Sequence, residues 1–78
     1  MPKVIIYSTP YCVYCKEAKE FFAEHGVEYE EKDVAKDEKA RERMIQRSGQ
    51  LGVPVIEVDD TVVVGFDKKK LAALLKIK

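Results

Sequence analysis

The sequence has no tryptophan, no asparagine, one histidine, three prolines and only two cysteines in 78 residues. Each scarcity removes a class of explanation. Two cysteines cannot build the several bridges that staple small secreted domains. With one histidine, they also fall short of the roughly four ligands of a structural zinc site within one chain. Fourteen basic and fourteen acidic side chains cancel, so no overall field draws the protein to nucleic acid or to an anionic membrane surface. The opening segment offers only Val4, Ile5 and Ile6 as an apolar run, too short for a secretory signal, and no stretch is long enough to span a bilayer. A cytoplasmic protein is the expectation, with no nucleic-acid and no membrane partner. What is present is 46% apolar and 36% charged, a balance that folds rather than staying disordered. A chain of this length makes one domain, residues 1–78, with an economical core.

Val4, Ile5, Ile6 and Tyr7 form a β-branched and aromatic run suited to a central strand over residues 3–8. Thr9, Pro10 and Tyr11 break it. Cys15, Ala18, Phe21, Phe22 and His25 then recur at spacings of three and four, predicting an amphipathic helix over 12–25 that Gly26 closes. Residues 27–34 read as a second strand, half exposed and near a sheet edge. Asp37 caps a helix running to about Ser48, with Ala40, Met44 and Ile45 inward and Gly49 as its stop. Val55 to Val58 and Thr61 to Val64 are separated only by Asp59 and Asp60, the signature of a tight hairpin. Asp67 starts a last helix through Lys78, with Leu71, Leu74 and Leu75 on one face. The first strand, helix and strand make a right-handed parallel unit, and the hairpin adds an antiparallel half.

The two cysteines stand as Cys12-Val13-Tyr14-Cys15, directly after the first strand and at the opening of the first helix. Unpaired amides and the helix dipole favour negative charge there, which predicts a Cys12 thiolate, with Lys16 and Lys19 adding positive charge nearby. Cys15 lies on the stripe of Ala18 and Phe22 and turns toward the sheet, while Cys12 stays at the solvent end. Such a pair divides the work of disulfide exchange: the exposed sulfur attacks, and the shielded one resolves the mixed disulfide. A permanent bridge between residues three apart closes too small a loop to stabilise much. A metal or iron-sulfur cluster shared between two chains through Cys12, in a carrier or a redox-sensing adaptor, is the alternative.

Three segments in register, Tyr7 to Lys16, Arg47 to Pro54 and Gly65-Phe66-Asp67, resemble the glutaredoxins and their NrdH-type redoxin relatives over essentially the whole chain. The resemblance implies an α/β fold, a minimal thioredoxin domain whose four-stranded mixed sheet has the order 2-1-3-4 and is flanked by three helices. It implies a monomeric thiol-disulfide oxidoreductase that reduces protein or small disulfides through Cys12 and Cys15. No bound cofactor or metal is implied, with glutathione as reductant or co-substrate, or a thioredoxin-reductase-like enzyme as electron donor. It further implies a cis bond between Val53 and Pro54, with the Val53 backbone pairing to an extended substrate. Gly65, Phe66 and Asp67 fall on the segment that holds the γ-glutamyl end of glutathione in glutaredoxins, although Gly65 also suits the end of a hairpin and Asp67 a helix cap. Thr9 stands where many glutaredoxins carry a lysine that binds the glutathione carboxylate. Val13 replaces their proline and leans toward the NrdH type, as does Gly65-Phe66, while Tyr14 leans back.

The remaining candidates have structural readings. His25 suits a helix C-terminus, Asp59 and Asp60 a two-residue turn, and Lys68, Lys69 and Lys70 a solvated surface. Tyr11 and Tyr14 flank the cysteines and shape the contact surface.

Overall fold

The computed structural model describes residues 3–50 and 52–76. Its elements run β1 (Val4–Ser8), α1 (Val13–Glu24), β2 (Glu30–Asp33), α2 (Glu38–Ser48), β3 (Val55–Val58), β4 (Thr61–Val64) and α3 (Lys68–Leu75). The sheet has the order β2-β1-β3-β4. β1 pairs with β2 in parallel and with β3 antiparallel, and β3 pairs antiparallel with β4. This is the anticipated order and mixture of directions.

Caps fix the helix boundaries. Asp37 accepts from the amide of Ala40 at 3.1 Å, and Asp67 from that of Lys70 at 3.1 Å, each side-chain oxygen satisfying one amide that the helix itself cannot. At the other end of α2, Gly49 has φ 75° and donates its amide to the Ile45 carbonyl at 2.7 Å, a left-handed conformation natural to glycine. Asp59 takes up φ 53° in the hairpin turn, and its carboxylate accepts from the Lys3 amide at 2.9 Å.

Two boundaries differ from the sequence reading. β2 begins at Glu30 rather than at residue 27, because Val27 donates its amide to the Phe22 carbonyl at 2.8 Å and so helps close α1. Tyr29 lays its ring against Phe22, with centroids 5.4 Å apart. α3 ends at Leu75, where Lys76 turns left-handed with φ 57°; the last two residues of the anticipated helix lie outside the described residues.

The sheet separates two apolar clusters. One face joins Val4, Ile6, Ile56, Val58 and Val63 to Ala18, Phe21 and Phe22 of α1 and Leu71 of α3. The other joins Tyr7, Val34 and Val55 to Ala40 and Met44 of α2. On the α2 face, Glu57 of β3 is only 2% exposed. It accepts a hydrogen bond from the Tyr7 hydroxyl and another from Arg47 Nε at 2.8 Å, while Arg43 Nε donates to the Tyr7 oxygen at 3.1 Å. Burial, followed by the bond to Glu57, raises the Tyr7 pKa. A buried carboxylate on an otherwise apolar strand is thus neutralised by cations from the neighbouring helix.

Candidate active site

β1 ends at Ser8, and Thr9, Pro10 and Tyr11 carry the chain to Cys12, whose amide donates back to the Thr9 carbonyl at 3.3 Å. Cys12 is the N-cap of α1, with φ −88° and ψ 112°. Its sulfur accepts the Cys15 amide at 3.1 Å, the position a serine or aspartate oxygen fills in an ordinary cap. This one amide and the positive end of the helix dipole face the sulfur, an arrangement that favours negative charge there. Cys12 is partly exposed, whereas Cys15 is 1% exposed against the sheet, and both are free thiols. Burial pushes the Cys15 thiol up to about 12 and its hydrogen bond with Cys12 adds to the rise, while a backbone hydrogen bond at Thr9 and the charge of Lys19 act the other way.

The sheet register gathers the other anticipated residues at the same end. Val55 pairs with Tyr7 of β1 and with Val64 of β4. The start of β3 and the end of β4 therefore lie beside the strand end that leads to Cys12. The Val53-Pro54 bond is cis, and Gly65, with φ 80°, donates its amide to the Pro54 carbonyl at 2.9 Å. Pro54 and Gly65 are thus joined directly. Asp67 follows, with its carboxylate engaged in capping α3. Phe66 sets its ring edgewise to Phe21 at 5.8 Å, which is core packing. Tyr11, Val13 and Tyr14 are 91%, 68% and 63% exposed, an apolar collar around the approachable sulfur.

A polar cluster beside the thiols was not anticipated. Glu31 Oε2 accepts from the Ser8 hydroxyl at 2.8 Å and from Lys19 Nζ at 2.8 Å. The bond to Glu31 raises the Lys19 pKa, and Lys19 followed by Ser8 lowers that of Glu31. Lys19, expected to lend charge to Cys12, is bound to Glu31 and acts on Cys15. His25 is exposed, with its ring 4.6 Å from that of Phe21. Lys68 is exposed, as expected, with its ammonium 5.8 Å from the centroid of the Phe21 ring.

Two concavities lie away from the cysteines. One of about 490 Å³ sits against Tyr7, Lys39 and Arg43, and one of about 360 Å³ against Val4, Tyr29 and Leu75. Neither includes a cysteine, and exchange between sulfurs requires an approachable atom rather than a deep pocket. Among the described residues, no three His, Cys, Asp or Glu side chains are grouped to hold a metal ion.

The glutaredoxin family model matches residues 4–63, covering both cysteines and all of the sheet but Val64. The chain belongs to the glutaredoxin family. It is 42% identical over 71 residues to a glutaredoxin-like 8.6 kDa protein from the rubredoxin operon of Clostridium pasteurianum, covering 91% of this chain and 95% of that one. Glutaredoxin 3 of Escherichia coli K12 is 37% identical over 67 residues, covering 86% of this chain and 81% of that one. The crystal structure of a glutaredoxin from Archaeoglobus fulgidus superposes with a TM-score of 0.87 at 31% identity, covering 97% and 88% of the two chains. This family member is a glutaredoxin-like or NrdH-like redox protein with the C-x-x-C pair in the described position. None of its described helices is long and apolar enough to cross a membrane.

Proposed function

We propose that the protein is a monomeric, cytoplasmic dithiol oxidoreductase that reduces protein or small disulfides, with Cys12 as nucleophile and Cys15 as resolving thiol. The observation that supports this reading best is the asymmetry of the pair: an approachable sulfur that accepts a helix amide at 3.1 Å, and a second that is 1% exposed one turn on. Cys12 attacks one sulfur of the substrate and releases the other as a thiol. Cys15 then attacks Cys12, frees the second substrate sulfur and leaves Cys12 and Cys15 bonded. The Val53 backbone, held by the cis bond to Pro54, receives an extended substrate segment as an added strand. Gly65 and Asp67 bound the same edge, and Tyr14 supplies apolar contact to the substrate. The pair is returned to dithiols by glutathione, acting as reductant without being a bound cofactor, or by a thioredoxin-reductase-like flavoenzyme.

NADPH-coupled turnover with each donor system tests the reading. Reduction of a model disulfide is expected with at least one, and C12S is expected to abolish it. C15S should accumulate a mixed disulfide on Cys12. An adduct carried only by Cys15 in wild type would reverse the two roles, and absence of turnover with both donors would refute the function.

A further inference from the structure

Cys15 must give up its proton before it attacks the bond between Cys12 and a substrate sulfur, yet it is 1% exposed. The charged and titratable groups facing it are Cys12, which at that stage is bound in the mixed disulfide, and Lys19. Lys19 stands four residues on, one helical turn from Cys15, and helical side chains lean toward the N-terminus, the direction of Cys15. Lys19 is itself faced by Glu31, Tyr29 and Cys15. Its ammonium is held at 2.8 Å by Glu31 Oε2, and that same oxygen is fixed at 2.8 Å by the hydroxyl of Ser8, which is 1% exposed. With side chains 30% and 42% exposed, the Lys19–Glu31 pair adds little to stability. What it does achieve is a cation held in one place beside a buried thiol.

We propose that Lys19, held by Glu31 and Ser8, is a positioning residue for the second half of the exchange, its ammonium steadying the negative charge that gathers on the Cys15 sulfur as it attacks. The inference rests on the dithiol reading above. In this step the Cys15 S–H bond breaks, and a bond forms between the Cys15 and Cys12 sulfurs. The bond from Cys12 to the substrate sulfur breaks with its electron pair going to the substrate thiolate, which takes up the proton through solvent. Two thiols are oxidised for one disulfide reduced over the full cycle, and no further reactant is needed.

The test loads Cys12 with a chromogenic aromatic thiol as a mixed disulfide and follows release of the thiolate, which reports attack by Cys15, as a function of pH. K19M is expected to release it about tenfold more slowly near neutral pH, with the rise of the pH profile moved up by about one unit. K19R is expected to restore both. The rate of loading, which reports Cys12, should stay within about twofold in the two variants and shows that they are folded. A wild-type profile in K19M, or a K19R as slow as K19M, overturns the proposal. Failure of the wild-type protein to load at Cys12, or to release thiolate once loaded, defeats the dithiol reading and this inference with it.

Discussion

Tyr7 and Ser8 are neighbours in β1, yet their hydroxyls open onto opposite faces of the sheet and end two parallel polar constructions. On the α2 face the Tyr7 hydroxyl donates to Glu57 of β3, which is bound by Arg47 of α2. On the α1 face the Ser8 hydroxyl donates to Glu31 of β2, which is bound by Lys19 of α1. The parts are the same: a strand hydroxyl, a carboxylate from the adjacent strand and a cation from the covering helix. Depth separates them. The Glu57 side chain is 3% exposed and that of Glu31 42%. A carboxylate sealed from water must keep its partners, whereas one that water can reach leaves its cation available to a neighbour. The inner construction holds α2 on the sheet, and the outer one sits beside the cysteine thiols.

The sharpest way to break this contrast is R47A. It removes the principal counter-charge of a buried carboxylate and is expected to destabilise the protein by about 3 kcal/mol in denaturant titration; a loss below about 1 kcal/mol would show that Glu57 has access to water. Y7F deletes one donor to the same carboxylate, and a loss of about 1.5 kcal/mol is expected by the same measurement. Next comes alkaline pH. Below about pH 8.5 the Cys15 thiol is protonated both folded and unfolded, and its contribution is intact. Above that, only the unfolded chain ionises until the folded thiol follows at about 12. Stability of the reduced protein should therefore fall by about 1 kcal/mol between about pH 9 and 10, and C15S should flatten that fall. The smallest effect belongs to the outer pair: E31Q is expected to change stability by less than about 1 kcal/mol. A loss as large as that of R47A would erase the distinction between the two clusters.

The order of elements, the caps at Asp37 and Asp67, the stop at Gly49 and the hairpin at Asp59 could all be read from the sequence, because each depends on residues within a few positions of one another. The placement of Cys12 and Cys15 follows from one helical turn and was readable for the same reason. Glu57 was not. In Val55-Ile56-Glu57-Val58, alternation assigns the glutamate to a solvent face, and only α2 arriving with Arg43 and Arg47 turns that face inward. Ser8, Lys19 and Glu31 come from three elements and meet through strand register, a property no local window contains. The start of β2 was misplaced because Val27 satisfies both a strand pattern and the closing turn of α1, and the amide bond to Phe22 decides for the turn.

Two of the three helices begin at a carboxylate, whose hydrogen-bonding capacity does not change with redox state. The remaining one begins at the Cys12 sulfur. On the proposed exchange, that sulfur becomes a poorer acceptor once it enters a disulfide, and the Cys15 amide then loses much of its tether. Oxidation is therefore transmitted to the backbone as a loosening of the opening turn of α1, and hydrogen exchange at that single amide reports the chemical state of the pair.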